Sequence, residues 1–380
     1  MARFDDVWPH LLRPPGGGIY AVSAGKGSAE ALQRAHYAAS RGADPSSTDG
    51  TAIDALWRRE IAQIAQARVV VLGVPLDTGA GIRRGAMYGP RGVRAKLLED
   101  AAYRALLASG VVVDIGDVFV NPHLLHDEML SDAQIARSRR AMYASAPEAL
   151  RGTLPVSALS QTEVVVDALL AQHPHVRVFM IGGDHSTAWP VAKVLARRHP
   201  GALGIVQPDA HTDLLPERLG VPYCFGTWSF HANDAIGRGG RMVQLGIRQT
   251  GRDRGHWEST TGVVQVWPGE IEEKGAARVI DDVVLHLRSV GVTHVYFSND
   301  IDGTDEKEAS ATGTPAPDGL TSGFVLDVIG ALAAHFTLVA ADVVEVAPDL
   351  GTRDESDATC RLAARYARAC IEGMVSRPST

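Results

Sequence analysis

The rhythm of hydrophobic positions changes near residue 66. Beyond it, short unbroken apolar runs alternate with longer segments whose apolar residues recur every three or four positions. The runs at 69–72, 111–114, 176–181, 204–207, 242–245, 295–297 and 338–344 predict strands. Most are continuous and β-branched, as in strands buried on both faces of a parallel sheet. The helical periodicity at 164–172, 192–198, 278–289 and 323–334 predicts helices between them. Strand–helix alternation of this kind predicts one α/β domain over 66–380 with a mostly parallel sheet. In such sheets ligands bind beyond the carboxyl ends of the strands, so those ends are where chemistry is expected.

Residues 1–65 read differently. Pro14-Pro15-Gly16-Gly17-Gly18 breaks any regular element. A helical pattern follows at 28–39, then the polar loop 44–50, then a helix at 53–67. This segment is expected to be an N-terminal extension packed on the main domain. Its loops carry aromatic and apolar residues, including Tyr20 after Gly16-Gly17-Gly18-Ile19 and the run Ser23-Ala24-Gly25-Lys26-Gly27, unlike a plain disordered tail. Two roles fit: closing a small active site, with Tyr20 offering a ring and a hydroxyl to substrate, or covering a sheet edge or subunit contact.

Composition narrows the class. A 45% hydrophobic and 21% charged chain of 380 residues has ample material for a core. A formal charge of −7 gives no reason to expect nucleic acid or an anionic membrane, and tolerates a cationic substrate. Three cysteines make no disulfide framework. The acids Asp5 and Asp6 stand where a signal peptide needs a basic region. No stretch approaches the roughly 20 apolar residues of a transmembrane helix. A cytoplasmic protein is expected.

Three predicted strands run into acidic or histidine-bearing segments. These are Gly182-Gly183-Asp184-His185-Ser186, Asp209-Ala210-His211-Thr212-Asp213 and Asp300-Ile301-Asp302, with Asp305 following. Alternate residues of an extended segment share a face, so Asp209, His211 and Asp213 can converge, as can Asp300 and Asp302. Taken singly, these patterns are more often turns, caps or hydrogen-bonded histidines than ligand sets. Together with His185 they supply four carboxylates and two imidazoles, more than one ion needs. Two divalent ions would relieve the like-charge repulsion of such a cluster. The donor set suits Mn²⁺, Fe²⁺, Co²⁺ or Ni²⁺ over thiolate-seeking metals, without choosing among them. His10, His36, His173, His175 and His335 are assigned to surface or satisfied interior positions.

These motifs resemble the signatures of the ureohydrolases, the family of arginases, agmatinases and guanidino-acid hydrolases, over roughly 69–346. Ser298-Asn299-Asp300-Ile301-Asp302-Gly303-Thr304-Asp305 is similar to the third signature, with Glu306 where a proline is usual. Gly85–Pro90, Gly313-Thr314-Pro315 and Asp342–Val346 add support. The resemblance implies a three-layer α/β/α fold and two divalent ions per chain. One would be held by His185, Asp209, Asp213 and Asp300, the other by Asp209, His211, Asp300 and Asp302, so that Asp209 and Asp300 bridge. It further implies that metal-activated hydroxide attacks a guanidinium carbon, that Asp302 passes a proton to the leaving nitrogen, and that Glu345 holds the guanidinium. For Glu345 the competing reading is a buried acid paired locally.

Two departures bear on specificity. Phe225 stands where many members carry a proton-shuttling histidine, for which His231 is a candidate substitute. Leu215 stands where arginases carry an asparagine that contacts the amino-acid end, so arginine is expected to be a poor substrate. The extension, the loop from Cys224 to Trp228 and Ser298-Asn299-Asp300 together resemble the nickel-dependent guanidine hydrolase subgroup. Bulky Phe225 and Trp228, with Tyr20, would then wall a small pocket. The expected cofactor is Ni²⁺ by the subgroup or Mn²⁺ by the family. The expected substrate is guanidine or another small guanidino cation, and the expected assembly a homo-oligomer, trimer or hexamer. An agmatinase or guanidino-acid hydrolase, a formimidoyl hydrolase, and a metal-binding pseudoenzyme partner remain alternatives.

Overall fold

The computed structural model describes residues 3–20, 25–44, 46 and 49–376. Ser23 and Ala24, and Pro45, Ser47 and Thr48 of the predicted polar loop, lie outside the described residues. Among the described residues, nine strands form one sheet: β1 (Leu12–Arg13), β2 (Val69–Gly73), β3 (Val112–Val118), β4 (Arg177–Ile181), β5 (Leu203–Pro208), β6 (Met242–Leu245), β7 (Val264–Val266), β8 (His294–Asp300) and β9 (Thr337–Val344). Their order is β1-β3-β2-β4-β9-β8-β5-β6-β7. Only β1, paired with β3, runs antiparallel.

Burial on both faces explains the unbroken apolar runs. On β2, Val70 and Leu72 enter one core while Val69 and Val71 enter the other; on β4, Val178 and Met180 oppose Phe179 and Ile181 in the same way. The first core is roofed by helices Phe4–Leu11, Ala158–Gln172, Ala188–Arg198 and Trp228–Ala235, the second by Gly89–Leu97, Ala276–Ser289, Ser322–His335 and Arg353–Ser376. The result is the three-layer α/β/α arrangement.

All seven predicted strands are present, with ends shifted by a few residues. β3 runs on to Val118 because its Asp114 and Asp117 are neutralised inside the fold. Arg94 donates to Asp114 through Nε (2.7 Å) and Nη2 (2.9 Å), and to Asp117. The predicted helix at 53–67 is Gly50–Ile61 followed by a short turn, Ile64–Gln66.

The N-terminal segment is built into the first core. β1 caps the β3 edge, removing an open row of backbone groups there. Phe4, Val7, Trp8, Leu11 and Leu12 are buried. The Trp57 indole N–H donates to the Ile115 carbonyl (2.9 Å), and Gly18 N–H donates to Asp117. None of the helices is long and apolar enough to cross a membrane, among the described residues.

Candidate metal centre

Strands β4, β9, β8 and β5 are consecutive neighbours, and their carboxyl ends deliver every predicted ligand. β4 and β5 follow each other in sequence yet are separated in the sheet by β9 and β8. The cleft at such a reversal of strand order is where parallel sheets bind ligands. His185 follows β4, Asp209 to Asp213 follow β5, Asp300 ends β8, Asp302 sits in the turn after it, and Glu345 follows β9. Close backbone approach forces two glycines: a Cβ on Gly183 would lie 1.6 Å from the Leu76 oxygen, and one on Gly303 would lie 2.6 Å from Asp209 N. Asp213 (φ 52°) and Glu345 (φ 60°) hold left-handed backbone conformations, a local cost that concentrates at functional sites. Glu345 is fixed there by its N–H donating to Gly183 O (2.8 Å).

His185 Nδ1 lies 3.1 Å from Asp300 Oδ2, 3.2 Å from Asp209 Oδ2 and 3.5 Å from Asp213 Oδ2. His211 Nδ1 lies 3.2 Å from Asp302 Oδ2 and 3.6 Å from Asp209 Oδ1. Two donor groups result, His185–Asp209–Asp300 and Asp209–His211–Asp302, each with ligand atoms within 4.8 Å of one another. Asp209 belongs to both, one oxygen toward each. Asp300 belongs to the first alone and Asp213 stands just outside it.

The hydrogen bonding tests whether this cluster fits cations. Ser298 Oγ lies 3.0 and 3.1 Å from the Asp342 carboxylate oxygens and 3.1 Å from His185 Nε2. With the serine hydroxyl donating to Asp342, His185 must donate through Nε2–H. A neutral His185 then turns the Nδ1 lone pair toward three carboxylate oxygens, a contact that only a proton or a cation can make favourable. The titration behaviour agrees. Burial, then the charges of neighbouring carboxylates, pushes Asp213 and Asp300 well above the usual carboxylate range. Burial works against protonation of His211, but Asp302 and Asp209 raise it to about 12. Burial likewise opposes His185, yet bonds to Asp209 and Asp300 raise it well above the ordinary value. Oxygen and imidazole donors in this number fit two divalent ions.

Glu345 is buried on the neighbouring strand end, its Oε1 accepting the His185 backbone N–H (2.9 Å). Burial, then Asp184, raises its carboxyl well above the usual range. Thr314 Oγ1 donates to Asp302 Oδ2 (2.7 Å), and Arg248 clamps the Asp302 turn by donating to the carbonyls of Asp302, Gly303 and Ala316.

Trp228 lies behind the cluster rather than on a pocket wall. It is 1% exposed; its ring stacks on His185 (centroids 4.4 Å), and its indole N–H donates to Asp213 Oδ2 (3.1 Å). A buried indole needs an acceptor, and Asp213 is the one within reach. His231 is turned away: its Nε2–H donates to Pro222 O (2.8 Å), and its ring sits among Trp189, Tyr223 and Phe230. Tyr20 is 62% exposed, meets Phe119, and lines a 730 Å³ cavity that contains none of the cluster residues. The cluster opens instead into a cavity of about 510 Å³, whose lining includes His211, Asp213, Leu215, Arg218, Phe225 and Arg252. Arg218 lies over the Phe225 ring at 4.9 Å. Type and spacing alone do not mark the supporting Gln207, Ser298, Asp342 and Thr314 as site residues; the polarity of the first three inside otherwise apolar strands is the feature that sets them apart.

Comparison with known proteins accords with this architecture. The arginase family model matches residues 67–372. Mitochondrial agmatinase of Gallus gallus is 31% identical over 287 residues, covering 73% of each chain. Guanidinobutyrase of Pseudomonas aeruginosa is 29% identical over 292 residues, covering 74% of this chain and 79% of its own. The structure of proclavaminate amidino hydrolase from Streptomyces clavuligerus superposes with a TM-score of 0.60 at 27% identity, covering 81% of this chain and 92% of that one. Strand-end donors, sheet order and sequence agree: the chain belongs to the arginase family, metal-dependent hydrolases that cleave guanidino carbon–nitrogen bonds.

Proposed function

We propose that this chain hydrolyses a small guanidino compound, guanidine first among them, releasing urea. The observation that carries the reading is the pair of donor groups sharing Asp209, with the Glu345 carboxylate buried on the adjacent strand end. His185, Asp209, Asp213 and Asp300 would hold one ion and Asp209, His211, Asp300 and Asp302 the other, Ni²⁺ or Mn²⁺. Bound there, the ions supply Lewis acidity and lower the pKa of water toward neutrality. Glu345 pairs with the guanidinium and fixes its plane. Asp302 Oδ2, held by Thr314, takes up and returns the proton that the leaving nitrogen needs. Leu215 and Phe225 put apolar side chains at the mouth, and neither can bond the polar groups of an α-amino-acid head.

A second reading, an ω-guanidino acid, is favoured by Arg218 and Arg252 in the same mouth, which suit a carboxylate tail and repel the second cation of agmatine. Urea release from guanidine, agmatine, 4-guanidinobutyrate and arginine, after loading with Ni²⁺ or Mn²⁺, separates these readings. Guanidine giving the highest kcat/KM supports the first and 4-guanidinobutyrate the second. Arginine as the best substrate contradicts both.

A further inference from the structure

Three buried glutamines stand side by side on the strands at one end of the sheet. Gln207 of β5 is in register with Gln244 of β6, which is in register with Gln265 of β7. All three are 0% exposed. Such positions ordinarily hold apolar side chains, because a buried amide costs free energy unless both its ends are bonded. Here each amide is bonded, and all in one direction. The Trp267 indole N–H donates to Gln265 Oε1 (3.1 Å), Gln265 Nε2 to Gln244 Oε1 (2.8 Å), Gln244 Nε2 to Gln207 Oε1 (2.9 Å), and Gln207 Nε2 to Asp209 Oδ2 (2.7 Å).

The direction follows from the chemistry of the two ends. An indole N–H only donates and an ionised carboxylate only accepts, so every amide between them has one satisfying orientation. Side branches lock the same choice: Ser229 Oγ donates to Gln207 Oε1 (2.7 Å), and Gln244 Nε2 also donates to Thr212 O (2.6 Å), in the loop joining Asp209 to Asp213. At its inner end the ladder meets the carboxylate common to both donor groups. Asp209 Oδ2 accepts from Gln207 and faces His185; Asp209 Oδ1 accepts the His211 backbone N–H (2.6 Å) and faces the His211 ring.

We infer that the Trp267–Gln265–Gln244–Gln207 ladder is a positioning device for the metal centre, holding the Asp209 carboxylate so that one oxygen serves each ion. None of the four side chains touches substrate or metal; they act through Asp209. The inference rests on the two-ion reading. Hydrogen bonds in series polarise one another, so the outer rungs strengthen the bond made by the innermost one.

The test uses Gln207→Leu, Gln265→Leu and Trp267→Phe in the full chain, stripped of metal and reloaded. Two quantities are read: affinity for Mn²⁺ by chelator competition, and the visible absorption of the Co²⁺-loaded protein, which reports ligand geometry and is insensitive to a general loss of stability. Removing an outer-shell partner of a ligand typically weakens metal binding by about 10–100-fold, the loss expected for Gln207→Leu with an altered Co²⁺ spectrum. Gln265→Leu, two strands and roughly 10 Å away, and Trp267→Phe, which deletes a single N–H, should change both readouts in the same direction by a smaller factor. Wild-type affinity and spectrum in a folded Gln207→Leu overturn the inference. Should Gln207→Leu fail to fold, the same unchanged result in the two outer variants overturns it. Wild-type protein that takes up two Mn²⁺ ions sustains the two-ion reading whatever the variants do; wild-type protein that takes up none removes that reading and this inference with it.

Discussion

Replacing Glu345 by Gln separates a substrate-holding carboxylate from a merely structural one, because the two roles move activity and stability in different directions. The exchange keeps the side-chain length and leaves an amide oxygen to accept the His185 N–H now bonded to Oε1. What is lost is the charge opposite the guanidinium. Hydrogen bonds to charged groups contribute about 1.5–3 kcal/mol, so kcat/KM should fall roughly 10–150-fold. Stability should move the other way. Burial raises the folded carboxyl well above the roughly 4.3 of an unfolded glutamate. The native state therefore binds more protons than the unfolded state above that pH, and the ionised side chain costs stability as pH rises. A neutral amide at this position has no such cost, so the metal-free variant should melt at the wild-type temperature or higher at pH 8, with a smaller difference at pH 5. Urea-release kinetics and melting of metal-free protein at the two pH values measure both effects. A variant with kcat/KM within twofold of wild type, or one melting well below it at pH 8, would refute the reasoning and return Glu345 to a locally paired acid.

Trp228→Phe keeps a ring against His185 but removes the donor to Asp213; about tenfold weaker Mn²⁺ retention is expected by chelator competition, and unchanged retention would deny the indole a supporting role. Deleting residues 1–40 strips β1 and the buried Phe4, Val7, Trp8, Leu11 and Leu12. At about 1.5–3 kcal/mol per side chain the loss approaches the whole stability of a typical domain, so the truncated chain should be unfolded or insoluble. A soluble truncation with native melting would show the segment to be dispensable to the core. Burial opposes protonation of His36, but the Glu60 charge and hydrogen bond (3.0 Å) win and raise its pKa. Its contribution is thus full below an unfolded value of about 6.5 and is lost as pH climbs through the raised folded value. Urea denaturation of metal-free wild type and His36→Gln above pH 6.5 should give a shallower decline for the variant, by at most about 1.4 kcal/mol per pH unit; parallel declines would contradict the assignment.

The ligand-bearing ends of the sheet were legible because each combines a buried apolar run with an abrupt change to acids and histidine, as at Gln207-Pro208-Asp209. The short edge strands were not. β1 is two residues between the helix Phe4–Leu11 and Pro14-Pro15-Gly16, and β7 is three residues, too few for any period to register. Strand order also escaped, since pairing β4 with β9 depends on contacts far apart in the chain. Within the site, which acids and histidines gather was readable from type and spacing, but orientation was not. Trp228 and Phe225 are three positions apart, yet one is buried behind His185 and the other lines the mouth. His231, on the helix Trp228–Ala235, is committed to the Pro222 carbonyl in the preceding loop. The glutamine ladder was hidden because its members lie on three strands and only the sheet register unites them.

The central claim is that two ions act together in one cluster around Asp209. Its most direct test is a titration of metal-stripped protein with Mn²⁺ or Ni²⁺, counting bound ions per chain while following urea release from the best guanidino substrate. Turnover should stay low at the first equivalent and reach its plateau as the second ion binds, and Asp209→Ala should abolish both uptake and turnover. Full turnover with one ion or none per chain would contradict the claim.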